Sequence, residues 1–336
     1  MIRHAFLKKG GDVYPGNRAV LFRSSLAFNK EGKKMRKGLL IASLLVSISI
    51  LVFLGAHEDA AAKEKVYTLK FQTLYTEGKE PYEWVKYFTS EVEKRTQGKV
   101  KFQMFPGSSL VPTKQMVSSV HRGVLDAAFA VPTYEQGLWP ITGVIGIFGA
   151  PKINYKEWRT VHDQVRVIMN KNIDLNVVIV GMPHVLSYLL YSKKALTGKV
   201  EDFKGMLIRS AGGPFNAAVK AMGGAPVKIP APEAYMALQK GTIDGGLNVY
   251  SRYVEGKLYE VAPYVVVLPK GFAISAQHYI VNKRVWNNLP ADIQKIFLEV
   301  GTEVVSFLND SSAALDKNIL AETLPKLGIK PIVMSE

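Results

Sequence analysis

One arginine stands out for its surroundings. In KGMLIRSAGGPFNAAVKAMGG, residues 204–224, Met206 to Ile208 read as a short strand and Gly212-Gly213-Pro214 as the turn into a helix. Arg209 then falls at the carboxyl end of a strand, where open α/β sheets bind their ligands. A guanidinium is permanently charged, and its planar fork grips a carboxylate through two parallel hydrogen bonds. The glycines that follow lack the Lys-Ser/Thr of a phosphate loop and the spacing of a dinucleotide fingerprint. Their backbone N–H groups, Gly212 among them, nonetheless open a helix beside Arg209 and suit an anion. The competing reading is a surface arginine paired with Glu201 or Asp202. Asn248 closes the strand of TIDGGLN; it offers the same anion an amide donor, or else caps the helix that follows.

Catalytic groups are scarce. The six histidines are His4, His57, His121, His162, His184 and His278. No two of them flank a glutamate at the helical spacing of a metal site, and no G-x-S-x-G elbow occurs. The chain has no cysteine, which excludes disulfides, thiolate metal sites and cysteine nucleophiles. Asp126 and Asp244 recur in similar settings, RGVLDAAF and KGTIDGGL, where a carboxylate between a turn and a strand reads as structural. No acidic cluster calls for a metal ion, and no cofactor is expected.

The elements that must position Arg209 follow a rhythm. VYTLKFQTL (66–74) alternates as a strand, 81–96 is helical with Trp84, Val85, Phe88 and Val92 on one face, and 100–105 alternates again. A helix over 113–123 and an apolar strand over 125–131 complete a strand–helix succession typical of a parallel, doubly wound sheet. The rhythm returns with strands at 176–182, 187–192, 206–209, 227–229 and 243–248 and helices at 215–222 and 232–240. A long amphipathic helix runs from Pro290 through Asp316. Two such units without an internal sequence repeat predict an α/β protein of two lobes, each with its own sheet, and a cleft between them.

The leader is separate from that fold. From Met35, Arg36 and Lys37 precede an apolar run from Leu39 to Leu54, and Ala60-Ala61-Ala62 follows. This predicts a cleavable signal peptide over 35–62 and a periplasmic destination, with translation starting at Met35 and residues 1–34 outside the native chain. The net charge is +15, and the first 62 residues carry ten Lys/Arg against four Asp/Glu. The remaining excess is spread along the chain, without the basic stripe and interleaved aromatics of a nucleic-acid binder. It fits anionic ligands or a membrane-surface partner.

Together the segments LKFQTL, VEKRTQGKVKFQMFPGSSL, VHRGVLDAAFA, DFKGMLIRSAGGPFNAAVKAMGGAPVKIPAPEAYMALQKGTIDGGLN and VNKRVWNNLPADIQKIF resemble the solute receptors of tripartite ATP-independent periplasmic (TRAP) transporters, dicarboxylate-receptor type. The resemblance covers residues 66–336. It implies a periplasmic binding protein-like fold with flanking helices and one long helix spanning both lobes. The lobes would comprise 63–186 plus about 275–308, and 187–274 plus about 309–336. The function implied is binding of an organic acid in the cleft, as a monomer, and delivery to TRAP permease membrane subunits, with no enzymatic step and no nucleic acid. In the family, the arginine matching Arg209 salt-bridges the ligand carboxylate and the asparagine matching Asn248 supports it.

Departures from the family pattern narrow the ligand. Sialic-acid receptors carry a second arginine where Tyr188 stands, polar residues where Leu74 (beside Tyr75) and Val131 stand, and phenylalanine at Ala231. Leu247 and Val249 replace the Glu and Pro that commonly flank the asparagine. One anchoring arginine in apolar and aromatic surroundings implies a monocarboxylate with an apolar or aromatic body, such as a branched-chain, 2-oxo or aromatic acid. Family members usually continue with a helical segment that packs against the body beyond the strand expected at 329–333, so its lack bears on stability and permease docking, or else reflects a truncated reading frame. The alternatives are a periplasmic sensor for the same acid and an exported hydrolase, which would find only Ser210 as a nucleophile beside Arg209.

Overall fold

The alternating segment VYTLKFQTL forms β1 (Tyr67–Thr73), the first strand of a computed structural model that describes residues 65–142, 155–185, 188–268 and 275–334. The leader, its cleavage site and residues 1–34 lie outside the described residues. After β1 come α1 (Glu80–Arg95), β2 (Val100–Phe105), α2 (Met116–Arg122) and β3 (Ala127–Ala130). Helix α1 carries Pro81 in its first turn, where the missing N–H is harmless, and it buries Trp84, Val85, Phe88 and Val92. The 3₁₀ turn Thr113–Gln115 precedes α2, so the expected helix is regular only in its second half.

Next come α3 (Tyr155–Lys171), β4 (Val177–Gly181) and the short β5 (His184–Val185). The second series runs β6 (Tyr188–Ser192), β7 (Leu207–Ser210), α4 (Pro214–Ala221), β8 (Ala225–Lys228), α5 (Ala234–Gln239), β9 (Gly245–Val249), α6 (Tyr250–Glu255) and β10 (Tyr264–Val267). The chain closes with β11 (Ser275–Ala276), β12 (His278–Asn282), α7 (Lys283–Asn288), α8 (Ala291–Asn318) and β13 (Ile332–Val333).

The strands form a five-stranded sheet, order β2-β1-β3-β12-β4, and a six-stranded sheet, order β13-β10-β6-β9-β7-β8, with β5 and β11 paired separately. Both sheets are mixed, which corrects the expectation of parallel sheets. Only β1–β2, β1–β3, β7–β8, β7–β9 and β10–β13 run parallel. Strand β12 runs antiparallel between β3 and β4, and β6 antiparallel between β9 and β10. The reason is the path of the chain: β12 follows the whole second series and returns to the first sheet from the opposite side. Strand β8 starts two residues earlier than its apolar core suggested because Pro226 is tolerated on a sheet edge.

Helix α8 braces the two halves. At 1.5 Å per residue its 28 residues span about 42 Å. It packs on α1, α3 and β4 beside the first sheet and reaches α6 beside the second. Ile293, Phe297, Val300, Val304 and Leu308 form its buried stripe. Gly301 lies so close to β4 that a Cβ there would come within 1.9 Å of the Val180 carbonyl oxygen. Among the described residues no helix is long and apolar enough to cross a membrane.

Candidate ligand-binding site

The site is built where strands of both sheets end. Strands β7 and β9 are parallel neighbours, with Arg209 opposite Gly246. A Cβ on Gly246 would lie 2.8 Å from the Arg209 Cβ and 2.3 Å from the Tyr191 hydroxyl, so only glycine leaves the arginine room to cross the strand. Arg209 is 2% exposed. Its Nε donates to the Ile229 carbonyl and its Nη1 to the Leu247 carbonyl, both at 2.7 Å. Its Nη2 donates to the Tyr134 hydroxyl at 3.1 Å.

Among the described residues Arg209 has no acidic partner. The surface ion pair with Glu201 or Asp202 is therefore set aside. Asp202 instead accepts from the backbone of Thr197, Gly198 and Lys199. A buried guanidinium held by neutral oxygens alone retains its full charge, and it is positioned rather than neutralised.

Tyr134 sits in the 3₁₀ turn Pro132–Glu135 that follows β3. Its hydroxyl oxygen accepts both from Arg209 and from the Ala231 backbone N–H, each at 3.1 Å. Two donors from the second half thus converge on one oxygen supplied by the first. Asn248 is not a helix cap; Val249 holds that position. The Asn248 Oδ1 accepts from the Val249 N–H at 3.0 Å, and its buried Nδ2 has no partner among the described residues.

Opposite this polar wall stand Leu74, Tyr75 and Val131, at the ends of β1 and β3. Tyr75 donates its hydroxyl to Gln277 Oε1 at 2.9 Å. Burial holds that phenol well above its ordinary pKa, and nearby Arg252 only partly offsets this, so Tyr75 remains a donor. The Arg252 guanidinium lies over the Tyr75 ring, 5.3 Å from its centroid. Its Nη1 donates to Glu255 Oε2 at 2.6 Å.

Seven of the eight residues singled out in the sequence line one cavity: Arg209, Asn248, Tyr188, Ala231, Val131, Leu74 and Tyr75. Gly212 is not on its wall; its N–H donates to Ser210 Oγ at 3.1 Å, and it faces the Thr133 carbonyl and the stem of Lys228. Tyr134, Ala211, Val249, Gln277 and Arg252 also line the cavity and were missed. Arg252 matters most, because the sequence reading foresaw only one arginine. The cavity is about 30 Å³, room for about two waters. On the other side of Tyr134 a larger space of about 240 Å³ is bordered by Lys114, Lys228 and Pro230.

A cleft at strand ends, lined by an arginine without an acidic partner and without a nucleophile–base pair among the described residues, is built to hold an anion. Residues 71–335 match the bacterial extracellular solute-binding proteins, family 7. The chain belongs to that family. A solute-binding protein from Albidiferax ferrireducens is 29% identical over 259 residues, 75% of each chain. The crystal structure of a TRAP periplasmic solute binding protein from Rhodoferax ferrireducens, with bound malonate, superposes with a TM-score of 0.71 at 25% identity, covering 80% of this chain and 86% of that one. DctP7 of Bordetella pertussis, an extracytoplasmic solute receptor binding pyroglutamic acid, shares the fold: TM-score 0.71, 17% identity, 81% and 89% covered.

As a family 7 member the protein is an extracytoplasmic solute receptor for TRAP transport, not an enzyme. Receptors of this kind bind small-molecule acids and deliver them to a membrane permease. The mixed two-sheet α/β architecture is the fold of these receptors.

Proposed function

We propose that this family 7 receptor binds a monocarboxylate with an apolar or aromatic body, anchored by Arg209. The carrying observation is the Tyr134 hydroxyl, which sits at the convergence of Arg209 Nη2 and the Ala231 N–H. One carboxylate oxygen meets the same two donors when Tyr134 withdraws, and charge-assisted bonds are roughly twice as strong as those to a neutral phenol. Asn248 supplies a further donor. Tyr188, Leu74, Tyr75 and Val131 enclose the body of the acid, and Gly212 shapes the turn behind the arginine.

A cavity of about 30 Å³ holds no organic acid, so binding requires the cleft to open. The lobes, 63–186 with about 275–308 and 187–274 with about 309–336, rotate apart and break the Tyr134–Arg209 bond. Lys114 and Lys228, at the outer face of Tyr134, attract the incoming anion. Reclosure over the acid excludes water and strengthens its ion pair. The receptor acts as a monomer after export on a signal peptide starting near Met35, and it has no role with nucleic acid. Pyroglutamate, bound by one structural neighbour, carries a single carboxylate suited to such an anchor, whereas malonate, bound by the other, carries two.

Calorimetry with a panel of organic acids on residues 63–336 tests the reading. Arg209→Ala is expected to weaken the tight acid by about 2–5 kcal/mol, tens to thousands of fold. A loss below about threefold in a folded variant sinks the anchor role. Succinate or sialate as the tightest ligand sinks the monocarboxylate.

A further inference from the structure

Two arginines line the cavity, and their charges are handled differently. Arg209 has no acidic partner among the described residues, so its positive charge is left for a ligand. Arg252, on α6, is 9% exposed and already bonded to Glu255 at 2.6 Å. The pair is neutral, yet the Arg252 guanidinium still has donors to give. Among the described residues its buried Nε has no partner, and neither has Nδ2 of Asn248, four residues earlier on the strand leading into α6. Orphaned buried donors are costly, commonly about 1–3 kcal/mol each, and such groups are retained where a ligand acceptor completes them.

We propose that Arg252, together with Asn248, is a specificity-determining residue that recognises a second, uncharged oxygen of the ligand, a carbonyl or a hydroxyl. The inference rests on the carboxylate-receptor reading. The class of ligand follows from charge. One un-neutralised guanidinium takes one carboxylate, and a guanidinium already paired with Glu255 takes a neutral acceptor. A second carboxylate there would face Glu255 with its charge uncompensated. The Tyr75 ring fixes the plane of the Arg252 fork from one side, and Tyr75 is itself held by Gln277. The favoured solute is therefore an oxo or hydroxy monocarboxylic acid, not a plain fatty acid and not a dicarboxylate.

Four acids of equal chain length separate the possibilities in calorimetry: pentanoate, 2-oxopentanoate, 4-oxopentanoate and glutarate. The wild type is expected to bind one oxo acid about tenfold or more tighter than both pentanoate and glutarate. Arg252→Met is expected to abolish that preference, bringing the oxo acid down to the affinity of pentanoate in the same variant. Glu255→Gln frees the charge of Arg252 and is expected to raise glutarate about tenfold relative to the oxo acid, a result that stands even if Arg252→Met does not fold. Equal weakening of all four acids by Arg252→Met, or an unchanged rank of glutarate in Glu255→Gln, overturns the Arg252 assignment alone. A wild type that binds none of a broad panel of acids overturns the receptor reading beneath it.

Discussion

The runs β1–α1–β2–α2–β3 and β7–α4–β8–α5–β9 are wound alike, although their sequences do not repeat. In each, three parallel strands lie in the order second, first, third. Each also carries an aspartate at the same joint. Asp126 accepts from the Lys70 N–H at 2.8 Å and returns its own N–H to the Lys70 carbonyl. Asp244 accepts from the Leu207 N–H at 2.9 Å and returns its N–H to the Leu207 carbonyl. Counting from these joints, Gln72 and Arg209 occupy one slot, and Ala130 and Asn248 another. The Gln72 amide is wholly engaged within its own half: Oε1 accepts from the Leu110 and Val111 N–H groups at 2.9 Å, and Nε2 donates to the Val111 carbonyl at 2.8 Å. The Arg209 guanidinium lines the cavity instead. The same scaffold thus gives shape from the first half and charge from the second.

Exchanging the residues of that shared slot should separate the two roles most sharply. Arg209→Gln places the residue of the first half in the second, and it is expected to lower carboxylate affinity by about 2–5 kcal/mol. Gln72→Leu should instead lower unfolding free energy by about 2–4 kcal/mol, because three hydrogen bonds are lost and the part-buried Leu110 and Val111 N–H groups lose their acceptor. Ligand affinity of the folded Gln72→Leu protein should stay within about threefold. Urea unfolding and calorimetry on both variants check this. A Gln72 variant that folds normally and binds poorly would erase the distinction.

The halves also differ in their response to acid. No histidine occurs between residues 188 and 268. The first half contains His162, fully buried, whose Nε2 accepts from the Met182 N–H at 3.0 Å and whose Nδ1 donates to Asp163 at 3.1 Å. Burial pushes its pKa down from 6.5 to about 4, with Asp163 opposing. The unfolded chain takes up this proton below about pH 6.5 while the folded protein refuses it until about pH 4. The stability from this group is therefore complete above pH 6.5 and lost as pH falls toward 4, about 2 kcal/mol of it by pH 5. In urea unfolding at pH 7 and pH 5, His162→Gln should lose about that much less than the wild type. Equal losses would show that the histidine does not carry the difference.

What the sequence made legible divides along the same line. Arg209 and Asn248 could be found because each lies one residue from the carboxyl end of a short strand with paired glycines close by, and local pattern marks such a place. Tyr134, Gln277 and Arg252 could not. Tyr134 and Arg209 are 75 residues apart and meet only when the cleft is formed. Gln277 follows a two-residue strand, and Arg252 is on a helix of six residues, too short to show a period. Strand β12 was missed because a parallel succession was assumed, and an antiparallel return from a later segment leaves no local mark. Gly212 illustrates the converse: a glycine-rich turn beside an arginine marks the region, but its N–H answers Ser210 and not the cavity.

The aspartate joints provide the smallest expected effect and the strictest test of the likeness between the halves. Each carboxylate is half-buried and accepts one backbone N–H of the first strand in its run, while the aspartate N–H completes a second bond to the same residue. Alanine would remove the side-chain bond and leave the backbone bond, at a cost of about 0.5–1.5 kcal/mol. Because the geometry is the same at both joints, Asp126→Ala and Asp244→Ala should cost the same within about 0.5 kcal/mol, and the double variant should show their sum. Neither should move ligand affinity, since both joints lie at the amino ends of β3 and β9, away from the cavity. If Asp244→Ala alone weakened binding, the joint of the second half would be helping to hold Arg209, two residues beyond Leu207, and the two runs would differ in their scaffold as well as in the residues they present.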